Sequence, residues 1–528
     1  MRTLTLNRIL GLLILISLLA SCSLKKANYK DVIPASSKML VALDFKSLSQ
    51  KANFKDGNYK FVDLLTSELN NTSPELAKIV SEAEKDAAAT GIDINEDIYV
   101  FMYEKSTKLL GGVMKLADAQ KFEILINEVL KTTKAKLSIQ EDGIKYIGEE
   151  KGSVILSWNN DFALVLGNTN TMDTLSLLEE VKSLYDQGSA NSIKSNEFFG
   201  KILEKQADIS YGVDFSLYTD LMKKISANAP MPIPINMNSI MKLLEGSSMV
   251  SYTNFETGEI RSEAEYVFGE KMKEMMEKYP VIRNFDTGVL PAFFPKKSLA
   301  LMSFGVNFKN YYGFLKEIMS AGIFAIAEMG IESQMGIKMD DFLNSIKGDF
   351  LFSFTDLTNT ANTMTVDLNF AFSLNDGKLN EKIKSLLAMV AKQGENYFTI
   401  QAGIMPIYLS MNDELIMATS NKATANAFAK GGLGDISLNK SDYISSMGKY
   451  STFMFIDIES IVKLEAVKAM LANSIIALNP AAINMVNLFK SIELQTTDNP
   501  VSLNGIIKMN TDKNALQAIF ESADELMQ

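Results

Sequence analysis

The sequence predicts an α+β fold made of two homologous halves, each a mainly antiparallel sheet with packed helices. Three observations lead there. Short runs rich in apolar and β-branched residues recur along the chain. Tight turns such as Glu256-Thr257-Gly258 and Thr497-Asp498-Asn499-Pro500 join many of them. Such turns suit antiparallel pairs, because parallel strands need long crossovers. Blocks from the first half also return in the second in unbroken order.

In chain order, Met39–Leu43 and Leu299–Val306 read as opening strands, each followed by helical periodicity. Hairpins are expected over Asp97–Tyr103 with Leu110–Leu116, and over Asp349–Phe354 with Thr365–Leu374. Each feeds a helix, Asp118–Leu130 or Gly377–Ala391. Three short strands are expected near 144–166 and again near 396–419, then a helix at Thr169–Tyr185 or Lys422–Ala429. A strand at Ile209–Asp214 or Phe453–Asp457 leads into another helix. Each half closes with a hairpin, 248–268 or 490–509, and a short helix, Lys271–Lys278 or Lys513–Leu526.

The repeat is carried by particular matches. Ile33-Pro34-Ala35-Ser36-Ser37 returns as Phe294-Pro295-Lys296-Lys297-Ser298. Leu156-Ser157-Trp158-Asn159 and Asn168 pair with Leu409-Ser410-Met411-Asn412 and Asn421. Lys194-Ser195 pairs with Lys440-Ser441, and Ile235-Asn236-Met237 with Ile483-Asn484-Met485. The copies span 32–283 and 289–528, with a linker at 284–288. One small pattern recurs four times at strand-to-helix junctions, on Asp44, Asp214, Asn307 and Asp457. Asn307 replaces a carboxylate without breaking the pattern, so helix capping is expected there rather than catalysis or calcium binding.

Composition removes whole classes of chemistry. The 528 residues include no His and one Cys. Ser-His-Asp and Cys-His catalysis, zinc sites and intrachain disulfides are therefore not expected. A net charge of −11 without a basic tract argues against nucleic acid as a partner. No cofactor, metal or catalytic residue is expected.

The N-terminus carries the most specific signal. Arg2 and Arg8 precede an apolar run, Ile9–Ala20, too short to span a bilayer. It ends in Leu19-Ala20-Ser21-Cys22, which resembles the lipobox of bacterial lipoproteins. The resemblance implies a signal peptide at 1–21, lipidation of Cys22 and a lipidated tether at 22–31. In lipoproteins of Bacteroidota type, an acidic cluster after the Cys marks export to the surface. Lys25 and Lys26 stand there instead, so an outer-membrane location facing the periplasm is expected.

Other motifs read as structure. Asp286-Thr287-Gly288 has the letters of an aspartic-protease triplet, but the second copy that such chemistry needs is missing. It reads as a polar turn. Asn375-Asp376-Gly377 fails the spacing of a calcium loop, and Gly111-Gly112 and Gly431-Gly432 lack that of a phosphate loop. A single Trp, Trp158, makes a poor sugar platform, and Asp173-Thr174-Leu175 is a short match to an O-glycosylation acceptor. The segment Pro230-Met231-Pro232-Ile233-Pro234 cannot be helix or central strand. It reads first as a strap over its own core and second as a candidate partner-docking loop.

Lipobox, repeated blocks and strand-Asp-helix junctions together resemble the Bacteroidota lipoproteins classed as domains of unknown function. The resemblance brings no activity with it. The expected function is that of a membrane-anchored cell-envelope lipoprotein, a non-enzymatic binder or scaffold. Its expected partners are the membrane, through the lipid, and an envelope protein or glycan. The alternative is an envelope enzyme working with carboxylates, such as a glycan hydrolase.

Overall fold

The computed structural model describes residues 28–526 except 58, 106–107, 132–136, 142, 149–152, 169–173, 219–236, 320, 361–362, 403–404, 473–479 and 499–500. The first half opens with β1 (Ser37–Leu43), then α1 (Phe45–Lys51), α2 (Phe54–Gly57), α3 (Lys60–Thr72) and α4 (Pro74–Lys85). The hairpin β2 (Ile98–Glu104) and β3 (Lys108–Lys115) leads to α5 (Ala119–Lys131). Next come β4 (Leu137–Glu141), β5 (Ile144–Gly148), β6 (Val154–Trp158) and β7 (Phe162–Asn168). Helices α6 (Thr174–Asp186) and α7 (Glu197–Glu204) precede β8 (Ile209–Asp214), and α8 (Met237–Leu244) precedes β9 (Ser248–Glu256) and β10 (Glu259–Val267). Helix α9 (Glu270–Lys278) follows.

The second half runs β11 (Ala300–Gly305), α10 (Phe308–Ile318), α11 (Ala321–Met335), α12 (Met339–Ser345), β12 (Ile346–Thr360) and β13 (Thr363–Leu374). It continues with α13 (Lys378–Val390), β14 (Lys392–Gln393), β15 (Phe398–Ala402), β16 (Met405–Met411) and β17 (Leu415–Thr419). Then come α14 (Lys422–Phe428), α15 (Ile444–Lys449), β18 (Thr452–Asp457), α16 (Ile458–Lys463), α17 (Glu465–Ala472) and α18 (Pro480–Asn487). The hairpin β19 (Phe489–Asp498) and β20 (Val501–Met509) precedes α19 (Ala515–Leu526). The fold is α+β, and the strand pairs within each unit are antiparallel.

The chain forms two compact units. Unit one takes in the described residues up to Leu217, then Ser248–Val267 and those from Thr511 on. Its strands lie in the order β10-β9-β8-β1-β2-β3-β7-β6-β5-β4. Its core buries Leu40, Phe101, Leu164 and Phe199. Unit two holds the described residues of Tyr218–Ser247 and Phe268–Asn510. Its order is β20-β19-β18-β11-β12-β13-β17-β16-β15-β14. Phe294, Leu301, Leu351 and Phe453 form its core. Each fully buried ring or aliphatic side chain contributes roughly 2 kcal/mol.

The helices after the closing hairpins belong to the opposite unit from the hairpin they follow. Helix α19 comes last in sequence but packs in unit one, where Phe520 meets Phe54 edge-on at 5.0 Å. There Asp524 accepts the Phe61 amide at 2.9 Å, and the Asn514 side chain donates to the Phe255 carbonyl at 2.9 Å. Helix α9 packs in unit two, where Lys278 and the Tyr279 hydroxyl both hold Glu317. The compact units thus differ from the sequence halves at these segments.

The expected groups of three short strands are each four. β4 precedes one group and the two-residue β14 the other. Lys392-Gln393 is polar and too short to show alternation. The hairpin β12–β13 also runs past Phe354 through Thr355–Thr360, a mostly polar stretch that hides the strand from hydrophobic patterning.

Candidate binding cleft

The four junction residues act as caps. Asp44 accepts the Ser47 amide at 2.8 Å, Asn307 the Asn310 amide at 3.1 Å and Asp457 the Ser460 amide at 2.9 Å. Asp214 accepts the Ser216 amide at 2.8 Å and pairs with Lys38 at 2.7 Å. Burial alone would raise the Asp214 carboxyl, but Lys38 and both bonds from Ser216 hold it below the ordinary range. Among the described residues, no group of three or more His, Cys, Asp or Glu is placed to hold a metal ion.

The Asp457 cap starts the helices that build a cleft in unit two. From it run α16 and, after an extended Leu464, α17. Helix α18 closes the other side, and its end is tied down where the Asn510 side chain donates to the Asn487 carbonyl at 3.0 Å. Val462, Leu471, Ile483 and Val486 line a hollow of about 440 Å³. That volume falls within the range of small-molecule sites. Lys463 and Lys468 stand at its rim, bound to Glu459 at 2.5 Å and Glu465 at 2.7 Å. Lys463 holds the Glu459 carboxyl below its usual range. Such a site offers apolar walls and an ion-paired rim. Sequence reasoning missed it. Its lining comes from three short helices, and the only hint was Ile483, already matched to Ile235 as part of the repeat.

The remaining sequence-level candidates sit in structural contacts. Asp286 forms the expected turn: its carboxylate accepts the Gly288 amide at 2.8 Å and pairs with Lys347 at 2.6 Å. Lys347, then the Gly288 amide, keep that carboxyl below the ordinary range. Its own amide donates to Asp349, which is buried and also held by Arg283 at 2.8 Å and by the Ser373 hydroxyl. Lys194 pairs with Asp31 at 2.8 Å, and the Ser195 hydroxyl donates to the Ser192 carbonyl, so the two form no dyad. Trp158 is core, edge-on to Phe122 at 5.9 Å. Asp376 accepts the Lys378 amide at the start of α13. Cys22 and Pro230, Met231, Pro232, Ile233 and Pro234 lie outside the described residues.

Two ion clusters were invisible in sequence. Asp208 is buried and accepts from Lys51, the Ser47 hydroxyl and the Phe255 amide. Lys115 is buried between Glu96 at 2.9 Å and Asp93 at 3.3 Å. Burial opposes its charge, yet those carboxylates more than compensate and its pKa lies above the usual value.

No curated protein matches this sequence. The chain is similar in outline to crystal form III of TP0453, at 11% identity and a TM-score of 0.28, covering 49% of this chain and 90% of that one. Crystal form I of the same protein gives 10%, 0.27, 49% and 89%. The family described as Domain of unknown function (DUF4836) matches residues 29–516, nearly the whole chain, and this protein belongs to it.

Proposed function

We propose that this protein is a lipoprotein of the bacterial cell envelope, of Bacteroidota type, anchored through Cys22 and facing the periplasm from the outer membrane. Its body acts as a non-enzymatic binder or scaffold, and its halves descend from one duplicated unit. The observation that carries the anchor is the placement of the chain's only Cys directly behind Leu19-Ala20-Ser21 and an apolar run. Among the described residues no helix is long and apolar enough to cross a membrane. The binding role is supported by the apolar cleft of unit two. It is supported as well by the buried carboxylates Asp208 and Asp349, each fully engaged in structural bonds. The shared strand order of the two units supports the duplication.

Labelled palmitate fed to cells making the full chain tests the anchor. The parent should take up label and Cys22→Ser should take up none. Equal labelling of both, or none in the parent, contradicts the proposal.

A further inference from the structure

The chain is tied to unit one from Tyr29 on. The Tyr29 ring is buried 5.8 Å from that of Tyr99, and its hydroxyl donates to the Asp97 carbonyl at 2.7 Å. The Gln187 side chain, just past α6, donates to the Asp31 carbonyl at 2.5 Å, and Lys194 pairs with the Asp31 carboxylate at 2.8 Å. Val32 and Ile33 enter the same core as Tyr29. The tether expected over 22–31 is therefore held by unit one along its last residues.

This entry point lies on one face of the sheet. Successive residues of a strand point to opposite faces. Val113 of β3 and Leu164 of β7 face the core that takes Tyr29 and, from α6, Leu177. Their neighbours Met114 and Ala163 face the core that takes Phe122 and Ile126 of α5. The chain thus enters on the α6 face, and α5 covers the other.

Five residues separate Cys22 from Asn28. A backbone extends at most about 3.6 Å per residue, so these six steps span roughly 20 Å at most. Two helix layers of about 10 Å each, with the sheet between them, exceed that reach. A lipid on Cys22 can lie against the α6 side of unit one, but the chain is too short to carry it around to α5. The length of this segment and the place where it ends select the face that the bilayer meets, with no demand on the charge or polarity of that face.

We infer that the α6 face of unit one is turned to the bilayer, with Asn28 held within about 20 Å of it. The inference rests on the proposed lipid anchor and adds an orientation to it.

The test uses the full lipidated chain, from cells fed labelled palmitate, in vesicles whose headgroups carry an energy-transfer acceptor. Ser189→Cys places a donor dye at an exposed position beside the Asp31 contacts, and Ile124→Cys places one on the outside of α5, where Ile124 is 57% exposed. The lipid occupies the Cys22 thiol, so each variant has one site for the dye. Transfer from 189 should exceed that from 124 by roughly twofold or more. A flexible Gly-Ser linker of about thirty residues inserted after Lys26 should bring the two to the same value, because it reaches past the unit. Equal transfer in the parent tether, or more from 124, overturns the inference, and so does a difference that the linker leaves intact. Palmitate uptake is read on the same preparations. Its absence overturns the anchor and the inference together, whereas labelled protein with equal transfer overturns the orientation alone. Thermal melts that match the parent show that both substitutions leave the fold intact.

Discussion

Unit one and unit two build their sheets in the same order and differ in how they cover them. The helices inserted after the first strand show this most clearly. In unit one, α4 lays Leu76 and Val80 onto Leu125 and Val129 of α5 and closes a small apolar cluster. In unit two, α11 packs on α13 at the corresponding place and leaves Ile326, Met329, Met389 and Val390 outside. Helix α4 carries Glu75, Glu82 and Glu84 against Lys78 and Lys85, whereas α11 carries Glu328 and Glu332 and no Lys. A sheet register is hard to alter, because a one-residue slip turns every side chain to the opposite face. Helix surfaces carry no such constraint.

Turn-level bonds agree between the units. The Ile193 amide donates to the Ile33 carbonyl at 2.7 Å, and the Leu438 amide donates to the Phe294 carbonyl at 2.7 Å. Asn159 accepts the amides of Asp161 and Phe162 in the β6–β7 turn, as Asn412 accepts those of Glu414 and Leu415 in the β16–β17 turn.

The largest contrast is expected at the residues that enter the second strand of each unit. Asp349→Ala removes the partner of Arg283, the Ser373 hydroxyl and the Asp286 amide, and should cost about 3 kcal/mol in denaturant unfolding. Asp97, next to β2, accepts from the Tyr99 hydroxyl at 2.8 Å, and burial raises its pKa. A raised carboxyl pKa adds stability when protonated, and that stability is lost as pH rises through the folded value. Asp97→Asn should therefore hold or raise stability at neutral pH. A loss matching that of Asp349→Ala would break the contrast.

Gly348 comes next. Its φ is +97°, and a Cβ there would lie 1.9 Å from the Val306 carbonyl oxygen, within the irregular start of β12. Gly348→Ala should cost about 2 kcal/mol or more. Ala42 faces Tyr99 in unit one as Gly305 faces Asp349 in unit two, so Gly348 is matched by Ile98, and unit one makes the same entry without this conformation. Thermal melts that match the parent would show that the bulge can relax.

The caps should respond alike in both units. Asp44→Ala, Asn307→Ala and Asp457→Ala should each cost about 1 kcal/mol, and Asn307→Asp should change little. A much larger loss at one of them would assign it a role beyond capping.

Asp286→Ala should have the smallest effect, about 1 kcal/mol or less, because the Lys347 pair is largely exposed. Its lowered pKa gives stability above the unfolded value that is lost as pH falls through the folded one, so the variant should show a flatter acid limb. Unfolding midpoints across acid pH read this.

Much of the frame was legible because it rests on local signals. Ile209–Asp214 alternates and ends on a capping Asp, and the strand has those bounds. The 248–268 hairpin turns at Gly258, where φ is +70°. Signals failed where partners are distant in sequence. Nothing near Lys115 shows that Asp93 and Glu96 will enclose it, and nothing near Phe520 shows that it packs on Phe54. The cleft was equally hidden, since Val462, Leu471 and Ile483 look like ordinary core residues one helix at a time.

The central claim is that Cys22 holds both units at the envelope through a lipid. Fractionating cells that make the parent or Cys22→Ser tests it most directly. The parent should sediment with the membranes and the variant should stay in the soluble fraction. A variant that sediments like the parent, or a parent that does not sediment, would contradict the account.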